Sequence, residues 1–287
     1  MEQQSLRKFL IFNLLIMTVF NFAHPVTPRL INELGLPSYM FGLFFAMMSL
    51  GSYIFSPIWG SLSDYKGRKR FLMLGVLGYG TVQLGFGLSQ TAGVISIFRI
   101  LGGILSVSYV AVIMASISDL STKENRAKSL AYLAATTAMG AALGSNIGGW
   151  IGASNYKYTF IAQFIACILL TIALGLFTKE TIETKKEGKA SIATNHLKLS
   201  QKSIDFKSTL GSLIITVAFM NITTTSYNST IGYFVESDLK LPTQLNGLVL
   251  SIAPICAILV NFLISPKLAA KYDELKTLMV VIALTAF

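Results

Sequence analysis

The sequence is poor in the residues from which disulfide frameworks, metal sites and catalytic centres are built. Its 287 residues include 2 Cys, 2 His and 13 Asp or Glu. Cys167 and Cys256 both lie in apolar stretches, where a cysteine packs as a small hydrophobic side chain. No group of His, Cys and carboxylate residues has the spacing of a metal site or of an activated nucleophile. We therefore expect neither a metal nor a cofactor, and we do not expect an enzyme.

Charge of either sign is also scarce. Charged residues make up 13% of the chain, whereas hydrophobic residues make up 53%, and the mean hydropathy is +0.63. This composition excludes a soluble globular protein of this length and places the chain in the membrane class.

Apolar runs of about 20 residues, the helix length that crosses about 30 Å of hydrocarbon, predict the membrane spans. A last run begins at Thr277 and reaches Phe287, about half of what a crossing needs. We therefore expect the chain to be a fragment or a truncated reading frame. The full-length runs cover residues 9–27, 39–59, 71–89, 92–115, 129–152, 158–177, 208–234 and 245–264.

A polar, lysine-rich stretch divides these runs into two groups. The predicted fold is an all-α polytopic transmembrane helix bundle with a six-helix bundle in residues 1–177, a cytoplasmic linker in residues 178–207 and a partial C-terminal bundle in residues 208–287. The C-terminal part would hold two helices and a truncated third. For the linker, the alternative is an interfacial helix that is held by anionic lipid.

The basic residues follow alternate loops. Of the 23 Lys and Arg, 19 fall before the first span or in loops on its side, while Arg29, Lys157 and Lys240 fall on the other side. Short loops rich in Lys and Arg stay in the cytoplasm, so we expect a cytoplasmic N-terminus in the cell membrane. Because the charge does not form one stripe, we expect no nucleic-acid partner.

Two short patterns recur in the two groups of spans. Both recurrences keep their order and lie beside corresponding spans, which predicts a duplicated six-helix unit with parallel repeats. The patterns are Leu36-Pro37 with Gly42, which returns as Leu241-Pro242 with Gly247, and Ser56-Pro57 with Asp64, which returns as Ser265-Pro266 with Asp273.

The loop between the second and third spans carries the strongest motif. Its pattern resembles the loop signature of the major facilitator superfamily, and the resemblance implies a transporter whose loop cluster latches the cytoplasmic face, with Asp64 and Arg68 as gate residues. The alternative is a positively charged loop with no further role. The matching residues are Gly60, Leu62, Asp64, Gly67, Arg68, Lys69 and Arg70.

Arg99 is the charged residue that lies well inside a predicted span, where charge is costly and a functional role is the default interpretation. With Gly103 it resembles the arginine pattern of the superfamily's fourth helix, although Gly102 stands where glutamine is usual. The resemblance implies a part in proton coupling or in cavity contacts. In the alternative, Arg99 lies near the outer face and snorkels to water.

A glycine strip marks the fifth span. Gly140, Gly144 and Gly148 recur every four residues, on one helical face, and permit close helix packing. The following segment resembles the antiporter motif of drug exporters in the superfamily, with Ser145 in place of its proline. Plain helix packing is the alternative. The segment consists of Gly144, Ser145, Asn146, Ile147, Gly148 and Gly149.

Two local features lead to smaller predictions. Ser121 with Glu124 has the spacing of a capping box and predicts the start of the fifth helix. Glu236 and Asp238 follow the seventh predicted span, and we expect them to be solvated at the outer face.

The resemblance implies a secondary active transporter that exports drugs or other small apolar or cationic molecules, driven by protons and working by alternating access. No phosphate-loop pattern is present, so a gradient would supply the energy. The expected partners are the lipid bilayer, a small-molecule substrate and protons, with the protein a monomer. A sugar or metabolite transporter and a non-transporting remnant are the alternatives. Candidate cavity walls are Phe20, Phe22, Tyr109 and Phe164.

Overall fold

The computed structural model describes residues 2–182 and 209–260, and within these ranges the regular structure is entirely helical. This confirms the all-α prediction. The second copies of one repeat, Ser265-Pro266 and Asp273, lie outside the described residues, as do the last apolar run and most of the predicted linker. The helices are α1 (Glu2–Phe20), α2 (Thr27–Glu33), α3 (Tyr39–Lys66), α4 (Arg68–Leu88), α5 (Ala92–Asp119), α6 (Arg126–Ile151), α7 (Tyr156–Phe177), α8 (Thr209–Tyr233) and α9 (Thr243–Leu259). A π-helical turn, Phe234–Asp238, continues α8.

Four of the described helices are long and apolar enough to cross a membrane. They are α3, α4, α5 and α7. Helix α3 continues through Pro57 to Lys66, so it is longer than the predicted span 39–59.

The first predicted span is not one helix. Helix α1 ends at Phe20, and the chain turns before α2 begins at Thr27. Pro25 has no N–H to donate to an α-helical ladder, and Pro28 suits the first turn of a new helix. Gln163 Nε2 donates to the Val19 carbonyl (2.9 Å) and to the Phe20 carbonyl (3.2 Å), which satisfies backbone groups at the broken end.

The core of the first seven helices joins α1 to α4, α5, α6 and α7. Asn13 of α1 is fully buried; its Nδ2 donates to the Thr136 and Thr137 hydroxyls at 2.9 Å each, and its Oδ1 accepts from Tyr109 (3.2 Å). Buried polar groups are tolerated when they are paired in this way. Phe20 packs against Tyr109 with ring centroids 5.6 Å apart.

This packing corrects the assignment of the cavity walls. Phe20, Phe22 and Tyr109 are 6%, 8% and 0% exposed, and all three belong to one buried apolar cluster. Among the residues described, these three side chains pack in the core and do not line an open wall, whereas Phe164 is half-buried.

The capping-box prediction is wrong. Helix α6 begins at Arg126 with Asn125 as its N-cap. The Ser121 hydroxyl donates to the Ile117 carbonyl (2.6 Å), back toward the end of α5. Ser121 therefore belongs to the end of α5 and does not cap α6.

Candidate functional site

The bundle has two ends, which we name by what lies there. The motif end holds the loop between α3 and α4, the close of α5 and the close of α7, which Arg68 and Glu180 tie together. The contact end holds α2, the π-helical turn and the start of α9. Between the ends, the fold packs α3 and α4 on α5, α4 on α7, α1 on α6, and α6 on α9.

Arg68 is the centre of the motif end. It is 7% exposed, and its guanidinium forms ion pairs with Asp64 (2.6 Å) and with Asp119 of α5 (3.0 Å). It also donates to the Ser63 hydroxyl at 2.7 Å. A planar guanidinium with fixed donors can satisfy several acceptors together, and this cluster uses that property.

The neighbouring residues tie α4 to the close of α7. The Glu180 carboxylate accepts from the backbone N–H of Arg68 (2.8 Å) and of Lys69 (3.2 Å), at the start of α4. Lys69 Nζ in turn donates to the carbonyls of Gly175 (2.6 Å) and Thr178 (2.9 Å). A carboxylate at a helix start and an ammonium at a helix end both complement the helix dipole.

The sequence prediction missed Asp119 and Glu180. Both are acidic residues just at or beyond the end of an apolar run, close in space to Arg68 but 51 and 112 residues away in the chain. Their position beside span ends is the signal that could have drawn attention to them.

The glycines of the motif differ in their surroundings. Gly67 has a φ of +94°, so the turn favours glycine, and a Cβ there would displace the Glu180 carboxylate from its present position. Nothing described lies within 4 Å of a Cβ at Gly60. No other described segment therefore approaches the backbone closely at Gly60. Arg70 points to the exposed side of α4.

Arg99 is buried, not snorkelling. It is 5% exposed, and its guanidinium lies over the ring of Phe86, 3.7 Å from the centroid. Its closest polar contacts are the Thr27 hydroxyl (3.5 Å) and the Met48 sulfur (3.8 Å), and Nε has no hydrogen-bond partner within the described ranges. A buried cation held by an aromatic face is consistent with the cavity-contact alternative and disagrees with the shallow one.

Gly103 lets α5 approach α3. A Cβ at Gly103 would overlap the Met48 carbonyl, and Ser52 Oγ donates to the Gly103 carbonyl at 3.0 Å. This contact fixes the backbone one turn from Arg99.

The glycine strip of α6 packs directly on α1. A Cβ at Gly140 would lie 2.6 Å from Met17 Cβ, one at Gly144 would overlap the Thr18 carbonyl of α1, and one at Gly148 would overlap the Phe22 carbonyl just beyond α1. The spacing of four residues thus serves close packing of two parallel helices.

The other side of the same segment contacts α9. A Cβ at Gly149 would lie 2.8 Å from the Thr243 carbonyl, and one at Gly247 would lie 2.5 Å from the Ser145 carbonyl. Ser251 Oγ donates to the Ala142 carbonyl at 3.0 Å. The residues of the antiporter-like motif therefore lie between α1 and α9. Asn146 belongs to this contact through its Cα, which lies 3.4 Å from the position of a Gly247 Cβ.

Further contacts at the contact end join α9 and the π-helical turn to residues 25–32. Asn246 Nδ2 donates to the Pro25 carbonyl (2.9 Å), and Asn32 Nδ2 donates to Ser237 Oγ (2.9 Å). Glu236 is half-buried and accepts from Thr243 and Asn246, so the prediction that it is solvated is wrong, whereas Asp238 is exposed as expected. Burial raises the pKa of Glu236 to about 7, against the hydrogen bonds from Asn246 and Thr243.

Residues 9–287 match the Major Facilitator Superfamily. The chain belongs to this superfamily. The resemblance seen in the loop motif is thus confirmed over nearly the whole sequence. The superfamily consists of membrane transporters that act on small molecules, and the prediction that the chain is not an enzyme is confirmed.

The curated relatives of this superfamily protein include proteins named for resistance to drugs. It is 23% identical over 277 residues to "Multidrug resistance protein 2" of Bacillus subtilis (strain 168), which covers 95% of this chain and 69% of the relative. It is 27% identical over 261 residues to "Tetracycline resistance protein, class H" of Pasteurella multocida, which covers 89% of this chain and 64% of the relative. The chain thus spans about two thirds of the length of these relatives.

A solved structure supports the superfamily fold. The bacterial homolog of the human lysosomal transporter Spinster, in an inward-facing and unoccupied conformation, superposes with a TM-score of 0.73 at 16% identity. The superposition covers 94% of this chain and 64% of that one.

Proposed function

We propose that the protein is a secondary active exporter of small apolar or cationic molecules, driven by protons and working by alternating access. The motif end faces the cytoplasm and the contact end faces the outside. The proposed domains are the six-span unit of residues 1–177, the linker 178–207 and the second unit 208–287.

The contact between α6 and α9 is the observation that carries this proposal. Backbone lies against backbone at Gly149, Gly247 and Ser145, and the Asn246 bond to the Pro25 carbonyl extends the contact across the halves. A joint without large interdigitating side chains separates and closes again with little repacking. Alternating access needs such a joint, because one bundle must rock against the other.

The motif end supplies the opposing gate in this proposal. Arg68 is buried, the Asp119 side chain is 28% exposed and Asp64 is exposed. The strength of this charge cluster depends on exclusion of water. Such a cluster is stable while this end is assembled against a partner surface and weakens as water enters, which suits a gate.

Export of drug-like molecules is the direction and substrate class that the names of the relatives favour. Charge is scarce inside the predicted spans, which suits apolar or singly charged molecules. No nucleotide-binding pattern is present in the sequence, so a proton gradient is the proposed energy source.

The test is efflux of ethidium from bacteria that lack their own drug pumps and express the full chain. We expect preloaded cells to lose ethidium faster than cells with an empty vector, and we expect a protonophore to abolish the difference. Expression is matched by membrane immunoblot. Loss of ethidium at the rate of empty cells would exclude drug export, and efflux that persists with the protonophore would exclude proton coupling.

A further inference from the structure

We propose that Glu236 couples protons to the contact end: a proton bound there favours the closed arrangement of the two halves. This inference rests on the proposed function for its role in transport, but it is tested on the conformation itself.

The side-chain amide of Asn246 bonds both to Glu236 and to the first half of the chain. Glu236 Oε1 accepts from Thr243 Oγ1 and Glu236 Oε2 from Asn246 Nδ2, both at 3.3 Å. The same Nδ2 donates to the Pro25 carbonyl of the first half at 2.9 Å. Separation of the halves breaks the bond to Pro25 and so changes the surroundings of the carboxyl group.

The orientation of this amide is fixed by chemistry. The Pro25 carbonyl only accepts hydrogen bonds, so Asn246 must turn its NH₂ group toward it. Asn246 Oδ1 then faces Gly232 of α8, 3.5 Å from the position of a Cβ, and it has no partner among the described residues. A fully buried amide with an unpaired oxygen lowers the stability of the fold. Asn246 therefore serves the contact end through its bonds to Pro25 and Glu236.

The charged groups around Glu236 are few. On α2, Arg29 pairs with Glu33 at 2.7 Å and donates to the carbonyls of residues 152–154. On its own segment, Asp238 and Lys240 are exposed. The sequences of α8 and α9 contain no charged residue.

The neighbouring segments carry two further titratable side chains, Tyr233 and His24. Tyr233 packs on Phe41 with ring centroids 5.8 Å apart. His24, beside Pro25, turns its ring toward Phe45, with centroids 5.9 Å apart. None of the described Lys or Arg side chains forms an ion pair with Glu236, so burial is the main influence on its pKa.

The sign of the effect follows from linkage. The pKa of Glu236 is raised to about 7 in the closed arrangement, because burial outweighs the opposing bonds from Asn246 and Thr243 and the charge of Arg29. Exposed to water after opening, the carboxyl group would return to its ordinary pKa near 4.5. The closed form therefore binds the proton more tightly, and lowering the pH from above 7 favours closure until both forms are protonated.

The experiment measures the distance across the contact end in the full chain, in lipid nanodiscs. Spin labels are placed by Tyr158→Cys on α7 and Leu239→Cys after the π-helical turn, both exposed sites, with Cys167→Ala and Cys256→Ser to remove other thiols. We expect the ratio of short to long distances to rise by about tenfold or more between about pH 9 and about pH 5, with a midpoint between about 4.5 and about 7.

Three variants decide the assignment. Glu236→Gln should keep the short distance at every pH, and Asp238→Asn, an exposed carboxylate two residues away, should leave the response unchanged. Thr243→Val removes a bond that favours the carboxylate and should move the midpoint to higher pH, which tests the idea even if Glu236→Gln fails to fold.

The proposal is overturned if Glu236→Gln keeps the parent's pH response, if Thr243→Val leaves the midpoint in place, or if the parent shows no change with pH. These distances need no substrate. Failure of ethidium efflux would therefore overturn the proposed function alone.

Discussion

Arg68 and Glu180 illustrate what single residues can reveal in a sequence and what they cannot. The loop motif identifies Arg68 because its neighbours have fixed spacing along the chain. Asp119 and Glu180 complete the cluster only after α5 and α7 have folded beside α4. No local pattern encodes that proximity, so half of the cluster was beyond prediction from one sequence.

Replacing Arg68 by lysine should impair transport although the charge is kept. One ammonium cannot reproduce the contacts with Asp64, Asp119 and Ser63, and loss of one charge-assisted hydrogen bond costs about 1.5–3 kcal/mol. We expect Arg68→Lys to lower the ethidium efflux rate by about tenfold, with normal insertion. The exposed neighbour provides the control, and Arg70→Lys should transport normally. Equal rates in both variants would remove the gate role of Arg68.

Gly144 should tolerate no side chain at all. A Cβ there would overlap the Thr18 carbonyl, which is backbone and cannot move aside as a side chain can. We expect Gly144→Ala to destabilise the protein by about 1–3 kcal/mol, as overpacking does, and to lower its melting temperature in detergent. Gly93→Ala is the control, since nothing described lies within 4 Å of its Cβ. A melting temperature of Gly144→Ala at or above that of Gly93→Ala would contradict the packing assigned here.

At the scale of helices, hydrophobic runs predicted where most helices lie but not how they end. Residues 9–27 read as one run, yet α1 closes at Phe20, because Pro25 interrupts the ladder and Gln163 satisfies the freed carbonyls from a distant helix. Conversely, α3 continues through Pro57 to Lys66, whereas the apolar run predicted that this span ends at residue 59. Neighbouring helices decide which prolines break a helix, and that information is tertiary.

The glycine strip of α6 likewise predicted that a helix contact exists but not which helices take part in it. Its spacing of four predicted a close helix contact, and the structure identifies α1 as the partner. The second contact, between Gly149 or Ser145 and α9, was not foreseen, because it joins segments about 100 residues apart through backbone atoms. The motif's resemblance to an exporter pattern stays a prediction about role.

Gly247 should control opening of the contact end. Valine there would press against the Ser145 carbonyl, which lies 2.5 Å from the Cβ position, and would separate α9 from α6. We expect Gly247→Val to shift the Tyr158–Leu239 label distances toward the long population and to reduce ethidium efflux at least about tenfold, since population shifts of 1–2 kcal/mol suffice.

The control for Gly247 is on α8. A Cβ at Gly232 makes only ordinary contacts of 3.5 Å or more, with Asn246 and Leu250, so Gly232→Ala should leave the distances unchanged. If Gly247→Val gives the parent's distances, the α6 and α9 contact is not the joint that opens.

At the scale of the whole molecule, the superfamily was predictable because its loop motif and apolar runs are both local in sequence. The division into two repeated units stays a prediction. The recurrence of Leu36-Pro37 and Leu241-Pro242 corresponds to the starts of α3 and α9, which both begin just beyond the proline. Which faces of α6 and α9 meet depends on small residues of both helices, and only the folded chain shows which of them face each other.

The orientation of the bundle is the last expectation open to a direct test. Ion pairs and caps gather the loops at residues 66–70, 119 and 175–180 at the motif end, and α1 runs parallel to α6, which places Arg7 and Lys8 there too. Arg29 lies at the other end, bonded to the carbonyls of residues 152–154. A concentration of basic charge at one end predicts that this end stays in the cytoplasm. In a Cys256→Ser background, we expect Lys128→Cys to react with an impermeant maleimide only after cells are opened, and Tyr158→Cys to react in intact cells. The reverse pattern would invert the proposed export direction, and labelling of both sites from one side would contradict the helix arrangement itself.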